Sequence, residues 1–464
     1  MRHLVFSLIL FISCSALAQE DTLALSIEQC RAMALEHNKS IQSAALSTEA
    51  AYYTKRSTWG LFFPNISING AAGYSNSSGG FGLDLRGTAT ALLSGAMASL
   101  TPSQQAVLSR IASSLPDKFN VVDYEMGWMY TAGVMLRQPL FMGGKIFAGY
   151  RMSKYALEAA RHNERKTKAE VIEEADQAYA NVVKAVELRR VAQQYVLLLE
   201  ALDRNVESAV RNGMKLQNDR LKVQVKLDEV RLQLTQADNA IRLATMNLCH
   251  VTGLPLRSRV SVTGDYPRVD DALMLQGADV MNRPEYALLE AKVQVAHQEV
   301  KSARAGYLPQ LALLANYGYT NGVNINGRKL IDSWGFMGGV TLSIPIYHFG
   351  VEVNKVKAAK ARALQAEVDR DNLVEMMQLQ LAQEGNRLEE SSLEVSLTEK
   401  ALEQATLNRQ LSERQYEVGR ETLTDLLEAQ ALWQQAWQRS IEAQFQRYLS
   451  SVAYLRAAGR LVSE

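Results

Sequence analysis

The chain has 464 residues, with 50 basic and 49 acidic side chains, so its formal net charge is only +1. This balance gives no electrostatic case for a nucleic-acid partner and excludes that class of function. Apart from the first residues, no stretch of about eighteen uncharged apolar residues occurs, so the sequence predicts no helix that crosses a bilayer.

The first residues are typical of an export signal. Arg2 and His3 give a charged start, an apolar run follows, and Ala16-Leu17-Ala18 is a small-x-small cleavage site. We therefore predict a signal peptide over 1–18. The alternative is a lipoprotein signal in which Cys14 is acylated. Cys30 and Cys249 lack paired spacing and are interpreted as small buried apolar residues rather than a disulfide.

An internal repeat organises the rest of the chain. Three pairs of landmarks are 206 residues apart: Pro139 and Pro345, Gly213 and Gly419, Gly253 and Gly459. A further pair, Pro64 and Pro309, is 245 residues apart, so the first copy carries about 39 additional residues, which must lie between Ser75 and Gly127. We predict a first copy over 19–264 and a second over 265–464.

Each copy has the order helix, strand, loop, strand, very long helix, break and long helix. The predicted helices cover 26–62, 145–211 and 216–252 in the first copy, and 283–307, 351–417 and 422–458 in the second. At ~1.5 Å per residue the middle helix of each copy is about 100 Å long. Helices of this length, with a narrow apolar stripe, are typical of coiled coils and helical tubes.

Four segments alternate with period two, at about 65–75, 128–138, 310–320 and 334–344. Each has the length of a tilted membrane strand, with one apolar face and one small or polar face. Aromatic residues stand at all four loop-side ends, where a membrane girdle would lie: Tyr74, Trp128, Tyr319 and Trp334. The alternative is a half-buried soluble sheet packed on the helices.

Four strands cannot close a barrel, and open sheet edges are not tolerated in lipid. Three copies would supply twelve strands, an even number as in known barrels, and symmetry would stack the long helices into a second tube. The predicted fold class is therefore mainly α with a membrane β-barrel: a trimeric twelve-stranded barrel continuous with a periplasmic α-helical barrel.

The layout and several local motifs resemble the TolC family of outer-membrane efflux proteins over nearly all of the mature chain. The motifs are Phe63-Pro64, Leu308-Pro309, Gln138-Pro139-Leu140-Phe141, Tyr416-Glu417-Val418-Gly419 and Thr424-Asp425-Leu426-Leu427-Glu428-Ala429. The resemblance implies a homotrimer in the outer membrane with a large periplasmic portion. It also implies docking to a periplasmic adaptor (membrane fusion) protein and an inner-membrane pump.

The resemblance further implies a constriction at the periplasmic helix tips. Asp425 and Glu428 match pore-lining acids of the family, and threefold symmetry would turn each into a ring that attracts cations. Asp219 and Tyr416 match partners in the closed-state network, but the family's arginine falls on Glu421. This departure calls the closed-state salt link into question. The tips at Gly213 and Gly419 are where an adaptor would dock.

The insertion forms a predicted external loop over 76–127. Its start, Ser75 to Gly82, is rich in Gly and Ser and is predicted to be flexible. Thr101-Pro102 has the features of a helix start, so a short amphipathic helix is predicted within 102–114. It would cover the outer mouth, bind an external partner or be a variable surface loop; all three interpretations stay open.

The sequence contains no pattern that predicts catalysis. The six histidines form no ligand pattern, and we find no phosphate loop, dinucleotide motif or nucleophile elbow. We therefore predict no cofactor, no metal site and no enzymatic activity. The leading hypothesis is a passive exit duct of a tripartite efflux or type I secretion system. The alternative hypotheses are a soluble periplasmic coiled-coil adaptor or structural protein, and an exported enzyme.

Overall fold

The structure is a computed structural model that describes residues 23–96, 100–117, 119–263, 266 and 278–461. The predicted signal peptide 1–18, with Cys14, lies outside the described residues. The chain forms two compact units. A helical unit comprises Met1–Tyr53, Ser153–Ala296 and Arg362–Glu464, and a strand unit comprises Thr54–Met152 and His297–Ala361. Each unit takes segments from both copies of the repeat, so the repeat does not divide the chain into two compact bodies.

Nine α-helices occur in the described residues: α1 Ile27–His37, α2 Lys39–Gly60, α3 Leu85–Ala96, α4 Pro102–Ser114, α5 Lys145–Arg211, α6 Gln217–Thr252, α7 Pro284–Arg304, α8 Val351–Glu417 and α9 Leu423–Ala457. Helices α5 and α8 have the bounds that the sequence predicted. No helix within the described ranges is both long enough and apolar enough to cross a membrane.

The prediction of a single helix over 26–62 was wrong. The segment forms two helices, because Asn38 interrupts it. Asn38 ends α1 with an extended backbone. Its side-chain amide donates to the carbonyl of Val251 at 3.0 Å, and its side-chain oxygen accepts from the backbone N–H of Ser40 at 2.8 Å. Asx side chains compete in this way with the helical backbone.

The core of the helical unit holds α1 against α5 and α6. Its buried members include Cys30, Cys249 and Tyr179, and both cysteines are free. Arg31 of α1 donates to both carboxylate oxygens of the buried Asp176 of α5, at 2.6 and 2.7 Å. Such bidentate pairs fix geometry as well as charge, so this contact sets where α1 lies on α5.

Seven strands occur in the described residues: β1 Leu23–Leu25, β2 Asn65–Tyr74, β3 Ser78–Leu83, β4 Phe119–Met142, β5 Val260–Val262, β6 Gln310–Ile325 and β7 Arg328–Ser343. Strands β1 and β5 form a small parallel pair. The strand unit contains one antiparallel sheet in the order β2-β4-β6-β7, and β3 pairs with the first part of β4.

The sheet strands are longer than predicted at their loop-side ends, except β2. Strand β4 runs from Phe119, and β6 and β7 approach each other to a two-residue turn, Asn326-Gly327. Both turn residues have positive φ, 50° and 74°, as the favoured two-residue hairpin turn requires.

The prediction of a loop over 76–127 was wrong in part. The segment contains β3, the helices α3 and α4 and the start of β4. Helix α4 occupies the predicted 102–114, whereas α3 was not predicted. The Gly- and Ser-rich start is not a flexible loop throughout, because β3 gains backbone hydrogen bonds from β4.

The repeat also appears in backbone conformation. Residues with positive φ recur 206 residues apart: Gly143 and Phe349, Gly144 and Gly350, Gly213 and Gly419, Gly253 and Gly459. These positions precede each long helix, form each helix tip and end each copy. Equal φ signs at equal spacing mean that the two copies share turn geometry as well as sequence landmarks.

Candidate functional site

The two predicted tips have the same turn geometry. Gly213 and Gly419 have φ of +70° and +74°. The residue after each glycine donates back across the turn at 2.8 Å, Met214 to the carbonyl of Ala209 and Arg420 to that of Gln415. This is the Schellman ending of a helix, which uses glycine because other residues are strained there. A Cβ added at either glycine would have nothing within 4 Å, so both turns are open at the surface.

The tips of both copies share one apolar core, which we call the tip core. It consists of buried residues from α5, α6 and α9: Tyr195, Val196, Leu199, Leu202, Val206, Val223, Leu227, Val230, Leu423 and Leu426. Tyr416 and Leu427 pack on its edge. The two helix tips are therefore packed together within one chain.

Asp425 belongs to a capping box at the start of α9. Its carboxylate accepts from the backbone N–H of Thr422 at 3.0 Å and from the Thr422 hydroxyl at 2.7 Å. The Thr422 hydroxyl in turn accepts from the backbone N–H of Asp425 at 3.2 Å. The hydrogen bonds from the hydroxyl and then the backbone of Thr422 lower the pKa of Asp425. Asp425 is thus a charged capping residue as well as a candidate pore acid.

Glu428 lies three residues further along α9, and both acids are exposed. Residues three apart share one side of a helix. Leu426 and Ala429 are buried on the other side. The described geometry therefore separates a carboxylate face from the face that contacts the tip core.

The structure brings Asp219 and Tyr416 into electrostatic range. Burial raises the pKa of the Tyr416 phenol, and the Asp219 carboxylate raises it further. Asp219 lies 3.9 Å from the ammonium of Lys222 on its own helix, and Lys215 lies over the Tyr416 ring at 4.8 Å from its centroid. Lysines thus flank the predicted pair.

The position that carries the family's arginine holds a carboxylate with a local role. Glu421 accepts a hydrogen bond from the hydroxyl of Ser412 on α8. Arg420 is exposed. Glu421 therefore joins α8 to the tip that follows it.

One ion network at the tips was not predicted from the sequence. Arg220 of α6 lies 3.5 Å from a carboxylate oxygen of Asp203 and 3.1 Å from one of Glu207, both on α5. The two acids are four residues apart, which places them on one side of α5. The spacing of the two acids can be read from the sequence. Their partner Arg220, however, lies on the next helix, and no local pattern identifies it.

The sheet has the two faces predicted from the alternation. The register pairs Tyr74 with Trp128 and Tyr319 with Trp334. Between β4 and β6, Tyr130 and Tyr319 lie on a diagonal, two residues apart in register. Ring centroids are 5.6 Å apart for Tyr74 and Trp128, 6.0 Å for Tyr130 and Tyr319, and 5.9 Å for Tyr319 and Trp334. The four predicted aromatic residues thus belong to one row across all four strands. This row has the arrangement of a membrane girdle.

The other face of the sheet is mostly small and polar, although it also carries Met135 and Met337. Gly133, Gly318 and Gly335 are register neighbours on three strands. A Cβ at Gly133 would lie 2.8 Å from the Cα of Gly318, so the backbones there leave no room for larger residues. Thr131 and Thr320 exchange a hydrogen bond of 3.2 Å on the same face. This face suits contact with water.

We found no grouping of three or more His, Cys, Asp or Glu that could hold a metal ion in the part of the chain that the structure describes. The candidate sites are surfaces: two helix tips, the second with the exposed carboxylates of Asp425 and Glu428, and a sheet with two different faces.

Comparison with known proteins agrees with this geometry. The family model "Outer membrane efflux protein" matches residues 31–254 and 280–460. The chain is 24% identical over 316 residues to the pyoverdine export outer membrane protein OpmQ of Pseudomonas putida, an alignment that covers 66% of this chain and 65% of that protein. It is 24% identical over 395 residues to the outer membrane protein TolC of Vibrio cholerae, covering 80% and 86% of the two chains.

The fold is shared with a solved outer membrane channel. The structure of CmeC from Campylobacter jejuni superposes with a TM-score of 0.72 at 17% sequence identity, covering 93% of this chain and 85% of that one. This likeness confirms the predicted fold class. The family match confirms the predicted class of function and the predicted location in the outer membrane. On these matches, which extend over most of its length, the chain belongs to the outer membrane efflux protein family.

Proposed function

We propose that three copies of this chain form one outer-membrane duct through which solutes pass from the periplasm to the exterior. The observation that carries this proposal is the open sheet of the strand unit. Its outermost strands are β2 and β7, and within the described residues each pairs with a strand on one side only. Unpaired backbone groups in lipid cost several kcal/mol each, so both edges need further strands.

Copies of the same chain can supply those strands with the correct direction. Strands β2, β4, β6 and β7 alternate in direction because every neighbouring pair is antiparallel. Strand β7 of one copy and β2 of the next then also run antiparallel, so a ring of copies closes without a parallel joint. Three copies would give twelve strands, an even number as in known barrels.

Exposed apolar residues on the long helices support the same assembly. In the second half of α8, Leu379, Leu393 and Leu407 are fourteen residues apart. Leu397 and Leu411 each lie four residues further on and are also fourteen apart. Seven-residue multiples keep positions on one seam of a coiled coil. This seam is exposed to solvent in a single copy, and a neighbouring copy would cover it.

The family match favours a duct over the soluble adaptor or structural protein that the sequence left open. A passive duct needs an energy source elsewhere. We therefore place this chain with a periplasmic adaptor and an inner-membrane pump, with the open turns at Gly213 and Gly419 as the adaptor-docking tips. The exposed, equivalent geometry of the two turns supports this assignment, because a repeated docking element would fit both.

We further assign the periplasmic gate to the tips. Asp425 and Glu428 would form two rings of three carboxylates around the threefold axis, which attract cations. Asp219 and Tyr416 would hold the closed state through the contact between the two tips. The packed tip core supports this assignment, because opening must separate or shift elements that it joins.

The trimer is tested by gel mobility and mass. The purified protein in mild detergent is expected to migrate as a trimer that converts to a 51.5 kDa chain, or its processed form, only on heating. Light scattering with subtraction of the detergent mass checks the stoichiometry. A monomer under mild conditions would contradict the shared barrel.

The gate is tested by planar-bilayer recordings of Asp425→Asn combined with Glu428→Gln. These isosteric changes remove the carboxylate charges, and the asparagine still offers an oxygen to the Thr422 cap. We expect weaker block by divalent cations and lower cation preference. Glu394→Gln, an exposed acid on α8, is the control and should leave both unchanged. Unaltered selectivity in the double variant would remove these acids from the pore.

A further inference from the structure

The insertion of the first copy is carried on a raised two-stranded ribbon. Strand β4 continues past Trp128 of the aromatic row to Phe119, and β3 pairs with this extension. At ~3.3 Å per residue Phe119 lies about 30 Å along the strand from Trp128. The β6–β7 turn ends earlier, because the backbone N–H of Asn326 donates to the carbonyl of Asp123 at 2.7 Å. The ribbon therefore extends beyond the second hairpin of the same sheet.

Helices α3 and α4 follow this ribbon and are braced against each other. Arg86 of α3 donates to the carbonyl of Ser113 at 3.0 Å and twice to that of Leu115, at 3.1 and 2.9 Å. These carbonyls lie at the end of α4, where the helix has no intrahelical donors left. Asp84 caps α3 by accepting from the backbone N–H of Gly87 at 2.6 Å. The helix pair is thus a built element.

Three large apolar side chains of the helix pair are exposed. Leu92 is 74% exposed, Val107 58% and Ile111 57%. Val107 and Ile111 are one turn apart on α4, while Ala112 on the other side is buried. Charged residues within 85–114 are confined to Arg86 and Arg110, and the remaining polar residues are mostly Ser, Thr and Gln. A face of this kind is suited to contact with another protein surface.

The composition argues against lipid as the occupant. Helices that lie in a membrane surface combine a broad apolar face with several Lys or Arg residues and large aromatic anchors. Helices α3 and α4 contain no aromatic residue and two arginines, one of which binds carbonyls within the pair. The ribbon also starts the pair about 30 Å beyond the row that marks the membrane interface.

A second copy of the same helix pair fits the face. Only the first hairpin of each chain carries the insertion, so a trimer has three such pairs raised on one rim. Threefold symmetry brings equivalent faces together at high effective concentration, and the small Ser, Thr and Ala side chains beside Val107 and Ile111 permit close helix approach. The low charge avoids repulsion between identical surfaces.

We propose that the three α3–α4 pairs of a trimer contact one another through Leu92, Val107 and Ile111 and form a lid above the outer mouth of the duct. This inference rests on the proposed trimer but adds a second constriction, at the loop-side ends of the strands. The lid is held by a small apolar contact and is therefore easily opened.

Cysteine cross-linking tests the contact. Val107→Cys or Ile111→Cys in the full-length protein, in outer membranes, is treated with a short bismaleimide. The natural Cys30 and Cys249 are fully buried, so the unmodified protein gives the background. We expect covalent dimers of the chain in denaturing gels, because one cysteine per chain can join only one partner. Ser109→Cys lies about 160° around α4 from both positions, is exposed, and should cross-link several-fold less.

Conductance tests the lid. Val107→Asp with Ile111→Asp would place six carboxylates in the contact, so we expect single-channel conductance to rise at least twofold, with fewer closures. Ser109→Asp should leave conductance unchanged.

Three results would overturn the lid while leaving the duct intact: equal cross-linking at 107, 109 and 111, cross-links to a different protein, or unchanged conductance in the double variant of an intact trimer. Loss of the trimer in the unmodified protein would instead overturn the proposed function itself.

Discussion

At the residue scale, one position shows how surroundings decide which side chain a strained backbone can carry. Gly143 and Phe349 are equivalent in the repeat and have φ of +62° and +48°. A Cβ at Gly143 would lie 2.7 Å from the carbonyl oxygen of Ala305 and 2.8 Å from the Cβ of Leu308. Phe349 is 88% exposed. Crowding therefore requires glycine in the first copy, whereas the second copy accommodates a phenylalanine.

This contrast predicts that two adjacent substitutions lower the free energy of unfolding by different amounts. Gly144 also has positive φ, +82°, but a Cβ there would have nothing within 4 Å. Gly144→Ala should cost only the left-handed backbone strain of about 1–2 kcal/mol. Gly143→Ala should cost more, because it adds overlap with backbone and side-chain atoms. The melting temperatures of the two purified variants check the order, and equal values would contradict it.

At the scale of elements, the two helices that leave the tips begin differently. Thr422 and Asp425 form a capping box at the start of α9. Helix α6 begins after Leu216 without a side-chain cap. Caps satisfy backbone N–H groups that the first turn leaves free. The second tip is therefore anchored by side chains, and the first depends on the tip core and the Arg220 network.

We predict that Thr422→Ala frays the first turn of α9 at a cost of about 1 kcal/mol. Faster amide hydrogen exchange at the start of α9, with no change at the start of α6, is the expected result. Unchanged exchange at the start of α9 would argue against the cap.

The same cap should respond to acid. The pKa of Asp425 is lowered in the fold, so its contribution is complete above the ordinary aspartate value of about 3.9 and is lost as pH falls through the lower folded value. The difference in amide protection at the start of α9 between the Thr422→Ala variant and the unmodified protein should therefore become smaller in acid.

At the scale of the whole molecule, one face of the sheet exposes large apolar side chains. Ile68 is 83% exposed and Phe336 73%. Their face carries the aromatic row, and both sheet edges are open. A single copy in water would leave this surface uncovered, so the apolar face requires lipid and the edges require other copies.

We therefore predict that the protein stays with the membrane pellet in high salt and in alkaline carbonate, and is released by detergent. Salt weakens only electrostatic attachment, whereas the apolar face is held by the hydrophobic effect. Immunoblots of pellet and supernatant measure the distribution. Release by salt alone would contradict burial of the sheet face in lipid.

The sequence by itself determined what depends on local pattern. Helical periodicity and the glycines at 213 and 419 fixed α5 and α8 to the residue, and period-two alternation gave the faces of the four strands. The repeat predicted matched landmarks, and their shared turn geometry follows because turn residues act within a few positions of the chain. Asn38 was the local exception, because its side chain bonds to Val251 on another helix.

Only the tertiary structure decided what depends on contacts between distant segments. Sequence order could not show that Arg220 lies beside Asp203 and Glu207. It also could not show that the Asp425 carboxylate caps α9 while Glu428 lies outside the tip core, or that β3 pairs with an extended β4. The insertion changed most, from a loop to a braced helix pair on a ribbon. The physical reason is that hydrogen-bond partners and buried faces are set by which segments meet, and local propensity does not encode that choice.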